Sequence, residues 1–153
     1  IAACCASGAA AGGATPEEVE RMRRFGELSG IAFQIKDDLF DYPVAGHDST
    51  RTGKPTGLDI KERKLTLPLI HALRQVSPDD RRWMVRAVKA RRQDPAAVDR
   101  VVRRVVEAGG VAHARQCMLE HRDQALAVLH TFADTPARRS LEGLVQLTVD
   151  REK

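Results

Sequence analysis

The chain has 153 residues, enough for one domain with a sizeable core. Charged residues make up 30% and hydrophobic ones 42%, with aromatics at only 4%, the balance of an ordinary globular, helix-rich sequence. The formal charge of +4 comes from 25 basic against 21 acidic residues, interspersed, which argues against a nucleic-acid partner, and no apolar run approaches the roughly 20 residues of a membrane span. Cys4, Cys5 and Cys117 are odd in number and lack a Cys-x-x-Cys spacing, so neither a disulfide framework nor a zinc site is supported. They read as buried thiols in a reducing compartment, the cytoplasm.

Ile1 to Ala11 is Ala-rich, the composition of a buried helix with close neighbours, and Gly12-Gly13 ends it. Thr15-Pro16-Glu17-Glu18 then signals a strong helix start, with Thr15 as N-cap, Pro16 in the first turn and Glu18 completing a capping box. That helix is expected to run to about Tyr42, where Pro43 stops it. Its last turns hold Phe33-Gln34-Ile35-Lys36-Asp37-Asp38-Leu39-Phe40-Asp41. At about 100° of turn per residue, Asp37 and Asp41 fall within roughly 40° of each other, with Gln34, Gly30 and Gly26 on the same stripe. Asp38 sits at the edge of that face. Phe25, Leu28, Ile31, Ala32, Ile35 and Leu39 form the opposite, apolar arc.

Three carboxylates within five residues repel one another, and a cation would offset that. Hard oxygen ligands suit Mg²⁺, which takes its remaining ligands from water and substrate phosphates. The glycines upstream would leave room for such a substrate. Taken alone, an Asp-Asp-x-x-Asp stretch is more often a solvated acidic face.

Tyr42 to Gly57 is the longest loop, and within it Gly53-Lys54-Pro55-Thr56-Gly57 offers a lysine and glycine-exposed donors to a phosphate. By itself that stretch is more often a turn, and it lacks the spacing of a nucleotide-binding loop. Leu58 to Lys64 is short and charged, with Lys61 and Lys64 one helical turn apart on a solvated face. Thr66 caps a helix that buries Leu69, Ile70 and Leu73. Ser77-Pro78 opens a helix with Trp83, Met84, Val85 and Val88, and Asp94-Pro95 opens one with Val98, Val101, Val102, Val105 and Val106, closed by Gly109-Gly110. Val111 to about Asp134 places Met118, Leu119, Leu126 and Leu129 inward, and Thr135-Pro136 starts a last helix with Leu141, Leu144, Val145 and Leu147. His113, His121 and His130 have no metal-ligand spacing and read as structural or exposed.

Three stretches in fixed order, Phe33 to Asp41, Gly53-Lys54-Pro55-Thr56-Gly57-x-Asp59, and Lys64-Leu65-Thr66-Leu67-Pro68-Leu69, resemble the trans-polyprenyl diphosphate synthases. The resemblance implies an all-α isoprenoid-synthase-type helical bundle, with residues 1–153 as a single all-α domain from the C-terminal part of that fold. It implies head-to-tail elongation, in which an allylic diphosphate ionises, isopentenyl diphosphate attacks the cation and a proton is lost. By motif, Asp37, Asp38 and Asp41 would form the second metal-binding cluster, Gln34, Lys54 and Lys64 would contact the allylic diphosphate, and Mg²⁺ would be the cofactor. Homodimer assembly and cytoplasmic location are likewise implied, with membrane association left to the lipid product. The family's first aspartate-rich motif, its Lys-Thr pair and its isopentenyl diphosphate contacts lie upstream of the segment that Ile1 begins, so the expectation is a partial site and a chain deficient in catalysis alone. Leu58 stands where the family commonly has a polar residue, and Arg63 where it has a glycine. A non-catalytic subunit of such a synthase and a class I terpene cyclase are the competing readings.

Overall fold

The structure is a computed structural model that describes residues 1–43, 56–90, 92 and 94–151. Among the described residues there are eight α-helices and no strand: α1 (Ala2–Ala11), α2 (Pro16–Leu39), α3 (Leu58–Lys61), α4 (Leu67–Gln75), α5 (Pro78–Lys89), α6 (Pro95–Glu107), α7 (Gly110–Leu129) and α8 (Pro136–Asp150). The all-α expectation therefore holds.

Helix starts follow local chemistry closely. The Thr15 amide donates to Glu18 Oε2 at 2.9 Å while the Glu18 amide donates to Thr15 Oγ1 at 3.3 Å, a complete capping box for α2. Ser77 Oγ accepts from the Asp80 amide at 3.1 Å, Asp94 Oδ1 from that of Ala96 at 3.3 Å, and Thr135 Oγ1 from that of Arg138 at 3.2 Å. Each of these three caps is followed at once by proline, whose missing N–H costs nothing in a first turn.

The helices divide into two compact units. The first joins Ile1–Lys36 to Gln116–Glu152, and its core is Phe25, Leu28, Ala125, Leu129 and Val145. Here the Arg151 guanidinium lies 4.3 Å over the Phe33 ring, and that of Arg21 lies 4.5 Å over Phe132. The second is built on Asp37–Arg115, where α4, α5 and α6 bury Leu69, Ala72, Met84, Val101 and Val105 completely.

Several expectations fail for the same reason: composition gives the apolar residues but not which faces find a neighbour. No residue of α1 is buried, although Gly26 lets it approach α2 so closely that a Cβ there would lie 2.8 Å from Ala2 Cα and 2.9 Å from Cys5 Sγ. Gly26 thus serves helix packing instead of opening room for a ligand. Cys4 is exposed and Cys5 and Cys117 half-buried, not buried thiols. On α8, Leu144 and Leu147 remain 58% and 63% exposed, while Val145 and Val149 take the inward positions. Ile31 and Val106, placed on apolar arcs by periodicity, are exposed as well.

Gly110 shows how tight the second core is. A Cβ at this position would meet Val105 Cγ1 at 2.9 Å and the Pro68 carbonyl oxygen closer still. Gly110→Ala should therefore destabilise by about 1–3 kcal/mol, the usual cost of overpacking. Gly143→Ala, with nothing within 4 Å in the middle of α8, should leave the thermal midpoint unchanged or slightly raised. Thermal unfolding of the two variants checks the contrast, and equal midpoints would remove the packing argument.

Candidate functional site

The aspartate-rich stretch straddles a helix end. Instead of reaching Tyr42, α2 stops at Leu39, and the chain tightens through i to i+3 bonds: the amides of Phe40, Asp41 and Tyr42 donate to the carbonyls of Asp37, Asp38 and Leu39 at 3.1, 3.3 and 3.2 Å. Asp37 and Asp38 stay in the last helical turn, half-buried, with exposed Gln34 one turn earlier on α2. Asp41 lies beyond the helix end.

The Asp41 carboxylate is 9% exposed and bonded through both oxygens: Oδ1 accepts from the Leu58 amide at 2.7 Å and Oδ2 from the Asp59 amide at 3.1 Å. Its carbonyl accepts a third bond, from the Gly57 amide at 3.0 Å. The first donors of α3 would otherwise lack partners within the helix, and a carboxylate there also meets the positive end of its dipole. Asp41 is thus a clamp between the end of α2 and the start of α3.

The clamp sets the neighbours. Ile60 of α3 is buried, and α3 ends in a Schellman turn in which the Arg63 amide donates to the Ile60 carbonyl and the Lys64 amide to that of Asp59, with Arg63 at φ 59°. Lys64 is therefore off the helix that the Lys61–Lys64 spacing suggested. Its ammonium reaches Glu62 Oε2 at 2.6 Å and Asp59 Oδ1 at 3.2 Å. Bonding to Glu62 first, then to Asp59, holds its pKa above the ordinary lysine range. Tyr42, 3% exposed, shares a hydrogen bond with Thr66 Oγ1 at 3.4 Å, so Thr66 does not cap α4 with its side chain as expected. Burial pushes the Tyr42 phenol up to about 12, with the nearby carboxylates of Asp41, Asp59 and Asp38 adding to the rise.

Lys54 lies outside the described residues, so the diphosphate contact expected of it has no geometry here. Asp59 and Tyr42 are the members that sequence reasoning left without a role. Asp59 was visible as the last residue of its motif, whereas nothing in the order of residues marks Tyr42.

Among the described residues, no group of three His, Cys, Asp or Glu side chains could hold a metal ion. The donor chemistry of Asp37 and Asp38 still fits a hard divalent cation, because magnesium is commonly held by one or two carboxylates with water and phosphate oxygens completing its shell. Both also sit at the C-terminal end of α2, where the helix dipole is negative and a cation is favoured.

The profile described as Polyprenyl synthetase matches residues 1–105. Octaprenyl diphosphate synthase of Escherichia coli is 36% identical over 92% of the chain, and 42% of that protein is covered. A geranylgeranyl pyrophosphate synthase structure from Bacteroides thetaiotaomicron superposes with a TM-score of 0.86 at 33% identity, covering 98% of the chain and 48% of its counterpart. A polyprenyl synthase structure from Caulobacter crescentus, complexed with calcium and isoprenyl diphosphate, gives 0.83 at 31% identity, covering 98% and 45%. The chain thus spans less than half the length of these proteins.

Two measurements test the site as built. Asp41→Ala should cost about 2 kcal/mol or more in chelator-containing buffer, since it leaves two amide donors without their charged acceptor, and unfolding by urea reads this directly. For Tyr42, the raised pKa means that the folded state keeps its phenolic proton where the unfolded state has lost it. Stability from this group is complete below pH 10 and falls as pH rises toward about 12. Tyr42 is the sole tyrosine, so an ultraviolet titration should show its ionisation delayed to about 12 when folded and returned to near 10 on unfolding.

Proposed function

The chain belongs to the polyprenyl synthetase family, and on that footing we propose that it supplies the second aspartate-rich half of a prenyl-elongating diphosphate site. The reaction is transfer of an allylic group onto isopentenyl diphosphate, lengthening a trans-polyprenyl diphosphate. One observation carries the reading: Asp37 and Asp38 sit side by side at the negative end of α2 while Asp41, the third acid of the motif, is drawn off to fix the start of α3.

Asp37 and Asp38 would hold Mg²⁺, with Asp41 positioning the chain around them. Bound there, the ion supplies positive charge to the departing diphosphate. The chain's own residues do the remainder. Gln34 and Lys54, by their places in the motifs, and Lys64 would contact the diphosphate oxygens. Lys64 would exchange the carboxylates of Glu62 and Asp59 for phosphate oxygens, keeping its charge neutralised throughout. Calcium and isoprenyl diphosphate in the Caulobacter protein support a hard-cation, diphosphate site in this family. The same reading makes the working unit a homodimer of the cytoplasm. Among the described residues, no helix is long and apolar enough to cross a membrane.

The test is calorimetric titration of an allylic diphosphate into the chain with and without Mg²⁺, repeated on Asp37→Ala. Binding should strengthen at least tenfold with the ion and lose that gain in the variant, roughly the 1.4 kcal/mol of a tenfold change in affinity. Metal-dependent binding that survives Asp37→Ala unchanged would refute the assignment.

A further inference from the structure

Residues 77–107 contain nine basic and five acidic side chains, an excess equal to the +4 of the whole chain. Within this segment α5 and α6 pack together and border a cavity of about 320 Å³ lined by Asp80, Trp83, Arg100, Arg103, Arg104 and Glu107.

The three arginines are not equivalent. Arg104 is engaged on both sides, donating to Asp80 Oδ2 at 2.7 Å and to Glu107 Oε2 at 3.2 Å. The bond from Arg104 holds the Asp80 carboxyl below the usual range, so both acids of the cavity are already matched by a guanidinium. Arg100 lies 4.2 Å over the Trp83 ring, a cation–π contact. Arg103 follows one helical turn later on α6. Both are exposed, and neither donates a hydrogen bond to a described residue.

We propose that this cavity is a binding site for a phosphate group, gripped by Arg100 and Arg103 against the wall that Trp83 provides. Each guanidinium presents five donors in a rigid fork, so the pair offers more N–H groups than the two oxygens of a carboxylate can accept, whereas a phosphate can be held along two edges. The contact with Trp83 holds the Arg100 guanidinium beside the cavity before any ligand arrives, which reduces the ordering needed on binding. With three arginines against two acids the lining carries one net positive charge, which suits an anion and repels metal ions. The phosphate can belong to a free phosphate or diphosphate, or to a phospholipid headgroup. The assignment does not depend on the roles of Asp37 and Asp38.

Trp83 is the sole tryptophan, so its emission reads this cavity without a label. The chain is titrated in magnesium-free, chelator-containing buffer at constant ionic strength. One arm uses inorganic phosphate and then diphosphate, and the other uses vesicles of phosphatidylcholine with and without phosphatidylglycerol. A saturable change in at least one arm, weakened at least tenfold in Arg103→Gln and retained in Asp37→Ala, is the expected result. A response to soluble anions assigns a free ligand, and a response confined to phosphatidylglycerol vesicles assigns a headgroup. No saturable change in either arm, or the same response to chloride, overturns the proposal. So does a response within threefold of the original in an Arg103→Gln chain whose circular dichroism is unaltered.

Discussion

The carboxylate of Asp41 ties the end of α2 to the start of α3. Two amides at the start of α3 and the amide of Gly57 converge on this one residue, which itself stands just past the end of α2. Asp41 and Leu58 are 17 positions apart in sequence, and because the entropic cost of joining such points rises only slowly with their separation, a few strong bonds suffice. A charged acceptor, nearly buried and bonded through both oxygens, provides them. Gly57 has to be glycine for the bonds to form: its φ of 79° disfavours any side chain, and a Cβ would lie 2.6 Å from Val98 Cγ1. The clamp therefore also bears on how close Gly57 comes to α6.

Using Asp41 in this way redistributes the charge of the motif. Three acids on one helical face would repel mutually, whereas here one is neutralised by backbone dipoles and two remain in the last turn of α2. Those two lie at the negative end of the helix dipole, a placement unfavourable for carboxylates that a cation would offset. Tyr42 registers the same field from the interior. Its phenol is raised by burial and raised again by Asp41, Asp59 and Asp38, which brings three carboxylates from two separate motifs to bear on one hydroxyl.

Local chemistry was the legible part of the sequence. The reciprocal bonds of Thr15 and Glu18 and the caps at Ser77, Asp94 and Thr135 all follow from residue types a few positions apart, and the structure contains each of them. What failed depended on distant partners. Phe40, Asp41 and Tyr42 continue a helical pattern, but Asp41 is bonded to the amides of Leu58 and Asp59 and the chain leaves the helix before Pro43. Thr66 has the residue type of a cap but gives its hydroxyl to Tyr42, twenty-four positions away. Leu144 and Leu147 satisfy an apolar pattern without a neighbour to cover them. In the aspartate-rich stretch the acids themselves were readable from residue type, and the engagement of Asp41 by the amides of α3 was not.

Lys64 shows what such a site can ask of a lysine. Its ammonium rests between two carboxylates at the exposed end of α3, and their hydrogen bonds keep its proton on well above neutral pH. A general acid works best with a pKa near the operating pH, so Lys64 is unsuited to handing a proton to a leaving group. It is suited to being a fixed positive charge. Because the side chain is exposed, replacing carboxylate oxygens by those of a diphosphate changes its partners without burying an unpaired ion. In the proposed reaction the leaving group would then depart as an anion, without a proton from Lys64. A lysine, a compact point charge with three rotatable donors, would suit that role because it can change partners without a fixed geometry.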